Sequence, residues 1–210
     1  MPSTKTKISI LALTAATISA VTVGATAASA APPAAPAGEP KTASVTGSAE
    51  FRLTFAPDHD VRSFTFDAHA APYSRPLPEL NVPHGLPTDA RGTVKISHYV
   101  VALKQILRAE AEVDCLSTSP GNAAFTAKVT RADGPLADWV GKRLGFSVQD
   151  GGRHHDRVGL SWVVGNITEN AQGKPVESTV GSCMAPAAFA PVTKGGYTVR
   201  HADLLPQPKR

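Results

Sequence analysis

The chain predicts an all-β protein, an antiparallel β-sandwich or barrel of about eight strands with at most one or two short helices. Three observations carry this expectation. Short runs in which apolar and polar residues alternate with period two recur between residues 48 and 201. Gly, Pro, Asp and Asn punctuate those runs. Most of the gaps are brief, as hairpin connections are.

Taken in order, SAEFRLTF sets Phe51, Leu53 and Phe55 on one face and Glu50, Arg52 and Thr54 on the other. After a turn at PDHD, the run RSFTFDA presents Phe64 and Phe66 on one side and completes a hairpin. GTVKISHYV sets Val94 and Ile96 opposite Lys95 and Ser97, and the same alternation carries His98 to the inward face. EAEVDCL places Ala111, Val113 and Cys115 against Glu110, Glu112 and Asp114, leaving that carboxylate face toward solvent. AAFTAKVT contributes Phe125, Ala127 and Val129, while RLGFSVQD contributes Leu144, Phe146 and Val148. RVGLSWVV offers Val158, Leu160 and Trp162, and GYTVRH closes the series with Tyr197 and Val199.

Two stretches depart from strict alternation. YVVALKQILRAEAEV carries Val100, Leu103, Ile106 and Leu107 at roughly helical spacing, so segment 99–112 fits either a helix or a wide hairpin, and the hairpin is preferred. ADWVGKR, around Trp139, predicts a single helical turn.

Residues 69–92 form the longest irregular piece, with prolines at 72, 76, 78, 83 and 87. Proline fixes φ and lacks the ladder donor, so this is a loop and not a central strand. Pro76, Leu77, Pro78, Leu80, Val82 and Pro83 are its candidate partner-binding residues, in an extended form that a groove on another protein accepts. Packing on its own domain, or lack of order, is the preferred reading.

The ends of the chain read differently. Lys5 and Lys7, an apolar run rich in small residues, and Ala28-Ser29-Ala30 form a secretory signal peptide over residues 1–30. Residues 31–44 are a Pro/Ala-rich disordered leader, 45–202 a single β domain, and 203–210 a flexible tail. A secreted, extracellular protein with no membrane span after signal removal is expected. Loss of the signal takes two lysines and no acid, so 21 basic residues become 19 against 17 acidic and the formal charge falls from +4 to +2. With those charges interspersed, nucleic acid is not an expected partner. Cys115 and Cys183 are the only cysteines, and in an oxidising compartment they most simply form one disulfide.

The runs FDAH (66–69), ARGTVKISHY (90–99), VDCL (113–116), TRAD (130–133), DWVGKRLGFSVQDGG (138–152) and DRVGLSW (156–162) occur in an order that resembles a group of small secreted actinobacterial proteins labelled repetin. The similarity spans about residues 51–201. It implies a secreted β domain in which Cys115 pairs with Cys183 and a hairpin joins the last two quoted runs. The group's function is uncharacterised, so the resemblance brings no catalytic residues. The spaced acids, central Gly and closing Glu of a calcium-binding EF-hand loop are absent from the sequence.

The most chemical-looking stretch is QDGGRHHDRVGLSW, residues 149–162. Its glycines predict a hairpin turn, with Asp150 or Asp156 bonding the turn backbone. The alternative is a divalent metal such as zinc held by His154 or His155 with Asp150 or Asp156. Adjacent histidines on an extended strand point apart, so a further ligand would have to come from His69, His98, Asp67 or His201. No cofactor is otherwise expected. His98 reads as a core histidine satisfied by a hydrogen bond, or else as an acid–base residue in a pocket with His69. GxSxG, Walker and dinucleotide motifs are missing from the sequence, and the Glu110, Glu112 and Asp114 face only imitates a glycosidase pair. The expected function is a non-enzymatic extracellular binding or structural module, for cell-wall glycan, another secreted protein or a small ligand. A small secreted enzyme, metal-assisted through His154 and His155 or built on a cavity containing His98, is the alternative.

Overall fold

A computed structural model describes residues 42–208 except 57, 153 and 165. The expected signal peptide and all but the last three residues of the expected leader lie outside the described residues. Of the two architectures expected, the chain forms the barrel. β1 (Ser44–Phe51), β2 (Val61–Ala70), β3 (Ala90–Val100), β4 (Gln105–Ser119), β5 (Asn122–Ala132), β6 (Arg143–Gln149) and β7 (Arg157–Leu160) pair antiparallel with their neighbours in chain order. A small separate hairpin follows, β8 (Ile167–Glu169) with β9 (Pro175–Glu177). β10 (Ala190–Arg200) then lies between β7 and β1 and closes the ring.

The hairpin reading of segment 99–112 holds. β3 and β4 pair from Thr93↔Glu112 to Val100↔Gln105 around a turn at 101–104, so Leu103 and Ile106 are exposed. Helix-forming residues there yield to the ladder bonds that a closed sheet requires. The helical turn predicted near Trp139 is a 3-10 turn, Gly134–Trp139. The strand expected through Trp162 stops at Leu160, and Trp162 opens a further 3-10 turn instead. The first strand begins and ends earlier than the pattern implies: Ala43 and Ser44 are buried, whereas Phe55 stands 63 % exposed beyond the end of β1.

Alternate side chains fill the middle of the barrel. Phe51, Phe66, Phe125 and Phe146 are essentially inaccessible to solvent, and Phe66 meets Phe125 edge-on with ring centres 4.8 Å apart. Tyr197 stacks on Phe66 and its hydroxyl donates to the Phe64 carbonyl at 3.2 Å. Burial, with the charge of Asp156 adding to it, pushes that phenol well above its ordinary pKa, so it stays a donor.

One prediction about facing fails at a bulge. Between Val113 and Cys115 the register of β4 slips against β5, so Val113 opposes Ala127 while Cys115 opposes Thr126. Asp114 and Cys115 therefore both lie on the outer side. There Cys115 bonds Cys183, as the two-cysteine count predicts. Asp114 is buried, not solvent-facing, because residues 178–189 cross the outer wall from β4 to β7 as a strap. Beneath it Arg143 Nε donates to Asp114 at 2.6 Å and Ser147 Oγ donates to the Pro186 carbonyl at 2.6 Å.

The two ends of the barrel differ. At the terminal end, where β1 starts and β10 stops, lies the proline-rich connection, which spans 71–89 because β2 and β3 extend further into it than expected. Asp89 Oδ2 accepts the backbone N–H groups of Ser74, Arg75 and Leu86 at 2.9–3.0 Å, which folds the loop on itself. Within it Leu77 bridges to Val82 around the 3-10 turn Pro78–Leu80. Tyr73 Oη, also in this loop, donates to the Leu205 carbonyl near the C-terminus. The distal end carries the connections 52–60, 101–104, 133–142 and 161–189.

Candidate ligand cavity at the distal end of the barrel

Strand parity builds the distal layer of the barrel interior. Inward positions run Phe66, Phe64 and Arg62 along β2 and Val94, Ile96 and His98 along β3, and Arg62 pairs directly with His98. Phe64, Ile96, Leu107, Leu144, Phe146 and Leu160 wall a recess of about 230 Å³. Leu136 and Trp139, from the 3-10 turn, close one side. Trp162 forms another part of the lining, so both tryptophans of the protein meet the same space. The mouths of β-barrels are a common place for small-molecule sites.

Trp162 holds an unfavourable backbone conformation, φ 51°, which a bulky residue adopts only where its surroundings fix it. Its ring lies parallel to that of Phe189 at 6.4 Å, and Phe189 in turn meets Phe55 at 5.5 Å. Those rings extend the apolar surface from the recess to the outside.

The polar end of the recess is confined to Arg62 and His98. His98 Nε2 lies 2.7 Å from Asp60 Oδ2, and a carboxylate can only accept, so Nε2 carries the proton. Asp60 is buried, and its other oxygen accepts the Val101 N–H at 2.8 Å. Arg62 Nη2 reaches Asp58 at 2.6 Å and Asp60 at 3.7 Å. The hydrogen bond from Arg62 holds the Asp58 carboxyl below its usual pKa. The arrangement can hold an apolar body, orient a polar group near His98 and Arg62, and present an imidazole fixed by a carboxylate.

Of the residues singled out from sequence, His98 is the one placed in this recess. His69 sits at the opposite end of its strand pair, exposed and 2.8 Å from Asp67. His154 and His155 are exposed on the β6–β7 connection, as the turn reading expects. Asp150 and Asp156 bond backbone, but more than their own turn. Asp150 accepts from Gly152 at 3.2 Å and from Val199 at 3.1 Å, while Asp156 accepts from Gly151 at 3.1 Å and from Tyr197 at 2.8 Å. β7 pairs with β10 only at Ala190↔Val158 and Pro191↔Arg157. The two carboxylates thus satisfy N–H groups of β10 that a longer β7 would have met. His201 lies elsewhere, with Thr118 and Asp203 as partners. Among the described residues no three His, Cys, Asp or Glu side chains converge as a metal site. In the proline-rich loop Pro76, Pro78, Leu80 and Pro83 are exposed, while Leu77 and Val82 are half-buried.

Sequence reasoning missed Asp60, Arg62, Trp139 and Leu136 as members of one site. Arg62 carried a signal, a charge in phase with Phe64 and Phe66. The pairing of Asp60 with His98, 38 positions away, had none. Among the described residues no helix is long and apolar enough to cross a membrane. Comparison with protein families, with curated proteins and with solved structures finds no match to this chain.

Proposed function

We propose that this chain is an exported binding module whose distal recess holds a small apolar ligand. The observation that carries the reading is the recess itself, at the barrel mouth, walled by aliphatic and aromatic groups and meeting both tryptophans. The strained Trp162 backbone supports it, since such strain concentrates where binding geometry is fixed. The signal peptide expected over residues 1–30 and the resemblance to secreted proteins support binding outside the cell.

The test is titration of the mature protein with 2-naphthalenemethanol, followed through the two indole N–H resonances. Both resonances should shift and saturate, and Leu160→Phe, which fills the recess, should weaken binding by about tenfold or more while leaving the fold intact. Indole signals that stay unmoved up to the solubility limit of the probe would end this reading.

The enzyme alternative is favoured by one observation, the Asp60–His98 pair, because a carboxylate-held imidazole is the usual general acid–base arrangement. Among the described residues no Ser, Thr or Cys lines the recess, so His98 would act by proton transfer and not beside a nucleophile. Under this reading an ester or enolisable ketone of naphthyl size is turned over, and His98→Gln abolishes turnover while keeping binding. Equal turnover by wild type and variant would remove it.

A further inference from the structure

We infer that the distal recess selects an uncharged ligand of about bicyclic size and rejects carboxylates and ammonium ions of the same shape. The inference deepens the binding reading above and rests on it.

The positive charge at the polar end is matched within the protein. Arg62 brings one positive charge and Asp58 and Asp60 bring two negative, to which His98 adds at most one positive, so the four groups sum to −1 or 0. A ligand carboxylate therefore meets no cation in excess. A ligand ammonium fares no better, because neither Asp58 nor Asp60 lines the recess and their oxygens already have donors. Asp60 takes the Val101 N–H and His98, and Asp58 takes Arg62 and the Asp60 N–H at 2.9 Å. Arg52, in the connection that carries Asp58 and Asp60, donates to the His59 carbonyl at 2.8 Å. The remaining lining is apolar and replaces none of the hydration that an ion loses on entry. A hydroxyl or carbonyl loses far less, and a hydrogen bond at the polar end offsets it.

Volume fixes the size. A dry apolar cavity of about 150 Å³ accepts benzene. At about 230 Å³ this recess exceeds that by roughly the space of a second ring.

Three probes of one shape test the inference by calorimetry on the mature protein: 2-naphthalenemethanol, 2-naphthoate and 2-naphthylmethylammonium. The alcohol should bind at least about tenfold more tightly than either ion. Asp60→Asn, which removes one negative charge, should improve naphthoate about tenfold relative to the alcohol, a shift that loss of packing alone does not produce. Either ion binding wild type as well as the alcohol overturns the charge argument while leaving the binding reading standing. An unchanged naphthoate-to-alcohol ratio in Asp60→Asn overturns it too. Failure of all three probes overturns the recess as a site, and this inference with it.

Discussion

Asp156 illustrates how a residue chosen for its chemistry is claimed by the backbone. It is buried, it accepts from Gly151 and Tyr197, and its own carbonyl accepts from Val192 at 3.0 Å. Asp156→Ala leaves the buried Tyr197 N–H, and that of Gly151, without this acceptor and should lower the unfolding free energy by about 2–3 kcal/mol in urea titration. His154→Gly with His155→Ala should change it by less than about 0.5 kcal/mol, because both side chains are exposed and φ at His154 is 65°. A large loss in the histidine double variant would mean the imidazoles hold the turn after all. Of this stretch, the turn was legible from Asp and Gly. The reach of the two aspartates to β10 was not, since Asp150 and Val199 are 49 positions apart. His98 was legible as inward because Val94 and Ile96 set its phase, yet its carboxylate partner lies in a connection that alternation does not describe.

At the scale of elements, the strap is the part least visible in the sequence. Residues 178–189 have neither alternation nor helical period, and their position is set by outward groups on four strands. Two glycines record it. A Cβ at Gly145 would collide with the Met184 carbonyl, and one at Gly159 would lie 2.6 Å from the Ala187 carbonyl oxygen. Gly145→Ala should therefore cost about 1–3 kcal/mol, through displacement of the strap rather than through strand propensity. Removing the disulfide with Cys115→Ala and Cys183→Ala frees a loop of 68 residues, worth about 4 kcal/mol in the chain-entropy account. Calorimetric melting of both variants checks these values; an unchanged midpoint in either would show that the strap is held by other contacts. The cysteine pair was legible from its count and the expected compartment. The facing of Cys115 was not, because a bulge of one residue inverts an alternation read along a single strand.

At the scale of the whole molecule, a filled middle separates two unlike ends. The terminal end is occupied by the proline-rich loop and the residues after β10, and the distal end holds the recess. Period-two alternation made the strands legible, and the order of β3 to β7 follows from their shorter connections. Alternation does not reveal which layer of a barrel stays unfilled, because that depends on side-chain sizes contributed by several strands at one height. Leu107, Leu144 and Leu160 look alike in the sequence as core residues. Only their common level with Arg62 and His98 turns them into the wall of a site.

The pairing of β1 with β10 also bears on how the molecule comes into being. Ser44 pairs with Arg200, so the first strand to be synthesised waits for the last. Until then β1 and β7 are open edges with unpaired N–H and C=O groups, the kind of surface on which chains join one another. The cysteines fall on the early side of that gap: Cys183 is made before any residue of β10, and its bond to Cys115 fastens the strap across the wall with the final strand next in line. Oxidation can thus precede closure and shorten the search by which β10 finds its slot.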